Sequence, residues 1–262
     1  MSYPINYPTP QGANIQIFNV GGATSDWVKP QGASFVWFTL IGAGGAGGRG
    51  AGNGTADGGG GGSGAVTNCM VPAFLIPDVL QVSVGRGGID GQGAATSDGT
   101  DTTVNYVSKS TYLLLQASAG KSGTNGVQST AGSGGPGGAA SASNYFSCMG
   151  LFQSVAGQIG DSGALDTVSG TTFLSGGNAT STRTSNYGYS VPQNTNGYFQ
   201  FQPIIVGVGA PTSTFASTGA NNPSRTSTSH FGCGGGGGTG SGTGNLTYGS
   251  RGGDGLVVII TW

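Results

Sequence analysis

Charge is almost missing from this sequence: 8 Lys and Arg, 9 acidic residues and one histidine, His230, in 262 residues. All nine acids are aspartate. Acid–base catalysis, nucleophile activation and metal binding draw chiefly on His, Glu, Asp, Lys and Cys. The composition therefore argues against an enzyme, and no cofactor is expected. A net charge of −1 offers no electrostatic surface for nucleic acid. No apolar run reaches the roughly 20 residues a spanning helix needs, so no membrane insertion is expected. Met1-Ser2-Tyr3-Pro4 has neither the basic start nor the apolar core of a signal peptide, which predicts a product that stays or assembles in the cytoplasm of the cell making it. Cys69, Cys148 and Cys233 are odd in number, far apart and without CxxC spacing. They read as small buried side chains rather than a disulfide framework or zinc site.

Sustained helical periodicity is missing as well, whereas glycine is abundant: 57 of 262 residues. Each ordered glycine costs roughly 0.5–1 kcal/mol more backbone entropy than alanine. The excess sums to tens of kcal/mol on that scale, against a typical net stability of about 5–15 kcal/mol. Such a chain is either disordered or holds its glycines in a closely hydrogen-bonded lattice. The 35% hydrophobic content, gathered in β-branched and aromatic runs, and the small net charge favour order. Burial of the glycines against other subunits is the expectation.

Strand-like runs alternate with the glycine tracts. They cover residues 14–20 (NIQIFNV), 35–41 (FVWFTLI), 79–84 (VLQVSV), 102–107, 112–117, 198–202 and 256–262. The run at 35–41 is apolar on both faces, as a strand buried on both sides should be. The run at 79–84 alternates, with Leu80, Val82 and Val84 on one face. About seven short strands with glycine-rich turns predict an all-β, jelly-roll-like β-sandwich. Strands at both ends of the chain predict one domain closed by pairing of its terminal segments. Between the strands, residues 42–50 read GAG-GAG-GRG and residues 132–137 read GSG-GPG. A three-residue period suits polyproline-II-type helices, which turn once per three residues. Faces carrying only hydrogen let such helices approach and bond backbone to backbone.

Three patterns imitate chemistry. Gly42-Ala43-Gly44-Gly45-Ala46-Gly47 matches GxGxxG after a strand, but a dinucleotide site needs a helix to start there, and the glycines at 48–64 preclude one. Gly120-Lys121-Ser122 resembles the end of a phosphate-binding loop, yet the required earlier glycine is Leu115. Thr180-Ser181-Thr182-Arg183-Thr184 and Thr226-Ser227-Thr228 have the spacing of an ice-binding surface, and equally that of a solvated polar strand.

The order of several motifs resembles the glycine-rich domain of bacteriophage tail-fibre and related virion proteins. Trp27-Val28-Lys29-Pro30 with Gly32 is similar to that domain's W-x-K/V-P-x-G opening. A strand ending in glycines follows at 35–48, then LQVSVG at 80–85, the strand-plus-glycine stretch at 113–120, and a closing GGDG and LVVIITW at 252–262. The resemblance covers roughly residues 24–138 and 232–262. It implies a non-catalytic virion structural protein at a tail-fibre tip or capsid fibre, assembled in the host cytoplasm and most readily a homotrimer. It divides the chain into an N-terminal arm and first strand (1–23), attaching to other virion proteins, and a glycine-rich domain (24–262). The stretch 139–231 departs from the pattern and is the candidate recognition insertion. Its Tyr187, Tyr189 and Tyr198 are the candidate receptor-binding residues, toward a host-surface glycan or outer-membrane protein. The rival expectations are a purely architectural capsid or tail component and an ice-binding polyproline-II bundle.

Overall fold

The computed structural model describes residues 13–51, 56–89, 97–107, 109–140, 152–157, 159–160, 231–238 and 248–262. The chain is an all-β protein. Its strands are β1 (Asn14–Phe18), β2 (Thr24–Val28), β3 (Phe35–Ile41), β4 (Val66–Pro72), β5 (Val79–Ser83), β6 (Thr102–Tyr106), β7 (Lys109–Ala117), β8 (Phe152–Val155) and β9 (Leu256–Thr261). They form two antiparallel sheets, ordered β1-β9-β3-β4-β8 and β2-β5-β6-β7, packed as a β-sandwich. The terminal strands pair, with Asn14 opposite Thr261 and Phe18 opposite Val257.

Alternation places the core. On β3, Val36, Phe38 and Leu40 point between the sheets and meet Val257 and Ile259, Cys69 and Val71, and Leu80, Val82 and Val104 of the facing sheet. Trp27 packs edge-on against Phe38 with ring centroids 5.9 Å apart. The opposite face of the same sheet is buried too: Ile41, Val66, Leu256 and Val258 form a second cluster with Cys233. On that face Thr39 donates to Asn68 Oδ1 at 2.9 Å, satisfying two buried polar groups that would otherwise be costly. The expectation that 35–41 is buried on both sides therefore holds.

Glycine tracts leave one end of the sandwich and stack into a bundle. The tracts at 42–50 and 57–64 run antiparallel, with Gly42, Gly45 and Gly48 donating to Ala65, Gly62 and Gly59 at 2.9, 2.9 and 2.7 Å. Every bond advances one tract by three residues and retreats the other by three. The same period recurs toward other neighbours. Gly120, Gly123 and Gly126 donate to Ala43, Ala46 and Arg49, and Gly58, Gly61 and Gly64 donate to Gly238, Gly235 and Gly232. Gly132, Gly135 and Gly138 donate to Asp57, Gly60 and Ser63.

The two central tracts are buried throughout residues 42–48 and 58–64. Those at 118–126 and 131–139 lie at the rim, where every third residue is a buried glycine and Lys121, Thr124, Ser133 and Pro136 face outward. Ala43, Ala46 and Ser63 are buried in these tracts with their small side chains, whereas the glycines that touch neighbouring backbone have no room for a Cβ. A Cβ on Gly45 would overlap the Lys121 carbonyl, and one on Gly47 the Gly236 carbonyl. The close packing expected of the glycines is thus supplied by tracts of the same chain, and burial against other subunits is not needed to explain it.

Candidate functional site

The Trp27-Val28-Lys29-Pro30 segment is a structural staple. Trp27 ends inside the core with no exposure. Lys29 Nζ pairs with Asp78 at 2.8 Å and donates to the carbonyls of Ala73 and Ile76 at 2.9 and 3.0 Å. The Ala33 N–H reaches the Pro30 carbonyl across a turn in which Gly32 has φ +80°, the conformation a type II turn demands at its third residue. The Lys29 clamp fixes the 3₁₀ turn Ala73–Leu75, whose Phe74 side chain projects into solvent at 82% exposure.

Phe74 belongs to an apolar cap on the end of the sandwich away from the bundle. Phe35 stacks on Trp262 there, with ring centroids 6.0 Å apart. Val28 and Val79, cross-strand partners at the ends of β2 and β5, are both exposed. The first described residues enter at this same end, since Asn14 lies opposite Thr261. A composition-led reading passes over the cap, although its signal is present: the apolar run Val71-Pro72-Ala73-Phe74-Leu75-Ile76 is longer than β4 needs.

The opposite, distal end collects turns. The 42–50 tract turns into 57–64 there, with Ala51 donating to Ala56; 118–126 turns into 131–139 through a reciprocal pair of bonds between Val127 and Thr130. Gln128 at that turn has φ 48°, an uncommon backbone for a residue with a side chain. The 232–238 tract also ends here, beside Gly58 and Gly48. The stretch joining Gly160 to Phe231 is inserted between two tracts: Gly160 bonds to Gly135, and Gly232 to Asp254 beside the sandwich. Tyr187, Tyr189 and Tyr198 fall in it and lie outside the described residues, as does the strand expected at 198–202.

The nucleotide-like patterns are occupied by the fold itself. Gly44, Gly45 and Gly47 donate to Gly253, Gly62 and Ser250, Gly120 to Ala43, and Lys121 to Pro136. Ser122 N–H goes to Asp98 Oδ1 at 2.8 Å. These N–H groups are engaged within the fold rather than turned toward a phosphate, and neither segment opens a helix. Aspartates instead close the rim of the bundle. Asp98 pairs with Lys121 at 3.1 Å, Asp101 accepts from Ala119 N–H at 2.7 Å, and Asp254 accepts from Gly87 N–H at 2.8 Å while paired with Arg251. Burial pushes the Asp98 carboxyl up, but the Ser122 N–H and the Lys121 ammonium outweigh it and hold the group below its usual 3.8. Cys69 is a buried thiol pushed up to about 12 by burial. Among the described residues no cluster of three or more His, Cys, Asp or Glu could hold a metal, and no helix is long and apolar enough to cross a membrane.

Fold and surface together define a β-sandwich continued by a glycine lattice, with an apolar cap at one end and turns at the other. The chain belongs to the glycine-rich domain family, which it matches over residues 19–262. No curated protein matches it.

Proposed function

We propose that the chain is a non-catalytic structural protein of a bacteriophage virion, seated by its capped end and presenting its distal end and residues 161–230 to the host surface. Within the candidate insertion, β8 and the glycines at 157 and 160 belong to the scaffold. The observation that carries this reading is the polarity of the molecule. The chain enters beside Phe35, Phe74 and Trp262, while the turns after residues 50 and 126 gather at the other end. Loops held on a rigid scaffold are where recognition usually sits, and an exposed aromatic cap suits burial against an assembly partner. On this reading the glycine tracts are polyproline-II-type helices whose three-residue period makes a stiff rod with little charge. Tyr187, Tyr189 and Tyr198 contribute the contact surface, and residues 1–12 help attachment.

Mass spectrometry of purified particles, together with adsorption of the labelled full chain to bacterial cells, tests it. The chain is expected in the particles and saturably bound to susceptible cells. The double variant Tyr187→Ala/Tyr189→Ala is expected to lose adsorption while melting as the parent does. Absence of the chain from particles overturns the virion role. Unchanged adsorption by a stable double variant overturns the assignment of these tyrosines.

A further inference from the structure

Four strands lie at sheet edges among the described residues, β1, β8, β2 and β7, and of these β2 carries Asp26 and β7 carries Lys109. β1 pairs with β9 on one side only. The Phe35 N–H donates to the Trp262 carbonyl and the Trp262 N–H to the Phe35 carbonyl. Antiparallel pairs alternate, so Trp262, Ile260 and Val258 turn their backbone groups toward β3, and Thr261, Ile259 and Val257 turn theirs toward β1. The partners of the latter are Asn14, Gln16 and Phe18. The N–H and C=O groups of Ile15 and Ile17 therefore point outward from the sheet. Their side chains, on the face away from the core, are 59% and 61% exposed. The strand, NIQIF, has no charge and no proline, and its register with β9 is unbroken. Charge, proline and bulges are the devices that normally keep sheet edges apart, and β1 has none of them.

We propose that β1 is a homotypic docking edge, at which a second copy of this chain pairs its own β1 antiparallel about a two-fold axis at Gln16. The sequence is self-complementary about that point. Ile15 of each copy meets Ile17 of the other, and the two residues exchange both of their outward backbone bonds. Gln16 faces its own image. A two-fold axis sets residues near it against their own images, so any charge there would repel itself; none occurs between Ala13 and Ser25. The two sheets join into one continuous sheet, and the row Ile15-Ile260-Trp37-Met70 continues across the axis into the row Ile17-Val258-Thr39-Asn68 of the second copy. The proposal does not depend on the virion reading. The two-fold turns the distal ends of the two copies in opposite directions, so the pair is proposed for the free protein.

Light scattering of the full chain at micromolar concentration is expected to give twice the 25.5 kDa chain mass. Ile17→Lys, with melting unchanged, is expected to raise the dimer dissociation constant about tenfold or more, because each substitution acts twice per dimer. Gln16→Cys under mild oxidation is expected to give a covalent dimer absent from the parent, since non-hydrogen-bonded antiparallel pairs bring facing residues to about 4.5 Å between Cα atoms. A monomeric or trimeric parent overturns the proposal. So does cross-linking of Ile17→Cys in place of Gln16→Cys, which would mean parallel packing around β1.

Discussion

In the sandwich, Phe38 is buried against the edge of the Trp27 ring. In the bundle, Gly45 is equally buried, but its neighbour is the backbone carbonyl of Lys121. The two units join at the ends of the same strands and solve the same problem by opposite means. The sandwich fills space with large side chains and gains the roughly 25 cal/mol per Å² of apolar surface removed from water. The bundle has almost no side chains to bury. It gains close dispersion contacts and one backbone hydrogen bond after another, each worth about 0.5–1.5 kcal/mol net, against the extra entropy of its glycines. A side-chain core can relax around a small change. A lattice in which backbone touches backbone cannot, because the obstructing atom is a carbonyl already engaged in its own bond.

The largest effect should come from adding one carbon to the bundle. Gly45→Ala sets a Cβ into the Lys121 carbonyl, and a loss of more than about 4 kcal/mol is expected. Denaturant melting or failure to recover folded protein would show it, whereas a loss under about 1 kcal/mol would mean the tracts part easily. Truncating the sandwich core by Phe38→Ala should cost about 3–5 kcal/mol and leave a folded protein. If it unfolds the chain while Gly45→Ala does not, the contrast between the units is reversed.

Gly32→Ala separates conformation from crowding. Nothing lies within 4 Å of the added Cβ, but φ is +80°, so about 1–2 kcal/mol is expected from backbone strain alone. A smaller effect is expected at the bundle rim. Because the folded Asp98 carboxyl is held below its usual 3.8, its contribution is present above that value and is lost as pH falls through the lowered one. Asp98→Asn should flatten this acid limb and cost no more than about 1 kcal/mol at neutral pH, since the ion pair is half exposed. An unchanged acid limb in the variant would remove Asp98 from the account. The last test leaves stability untouched. Cys69 in the sandwich and Cys233 at the head of the bundle are both buried. In a Cys148→Ser background both thiols should react with a disulfide reagent at one common rate, that of global unfolding. Faster reaction at Cys233 would show that the bundle opens by itself.

Legibility in the sequence differed between the two units for a physical reason. β3 was readable to the residue, because seven apolar-rich positions between a serine and a glycine leave one reading. β5, β6 and β9 were readable to within a residue or two. β2 was not, since Thr24-Ser25-Asp26-Trp27-Val28 has a single buried residue, Trp27, and one inward side chain makes no alternation. β8 was not, because Phe152–Val155 is four half-buried residues that become a strand only through pairing with β4. The apolar cap was overlooked because exposure is not written in hydrophobicity. The tyrosines assigned to recognition lie outside the described residues.

The sequence by itself determined the three-residue period of the tracts, the place of the central strand, the presence of terminal strands able to pair, and the scarcity of charged side chains. Each of these is local: which side chains are present, and at what spacing. Only the tertiary structure decided that 42–50 and 57–64 form the centre of the bundle while 118–126 and 131–139 form its rim, that Lys29 clamps the Phe74 turn, and that Asp98, Asp101 and Asp254 close the lattice edges. A glycine tract carries donors and acceptors at every residue and no side chain to choose among partners. Its neighbours are therefore set by how the strands of the sandwich deliver the tracts to one another.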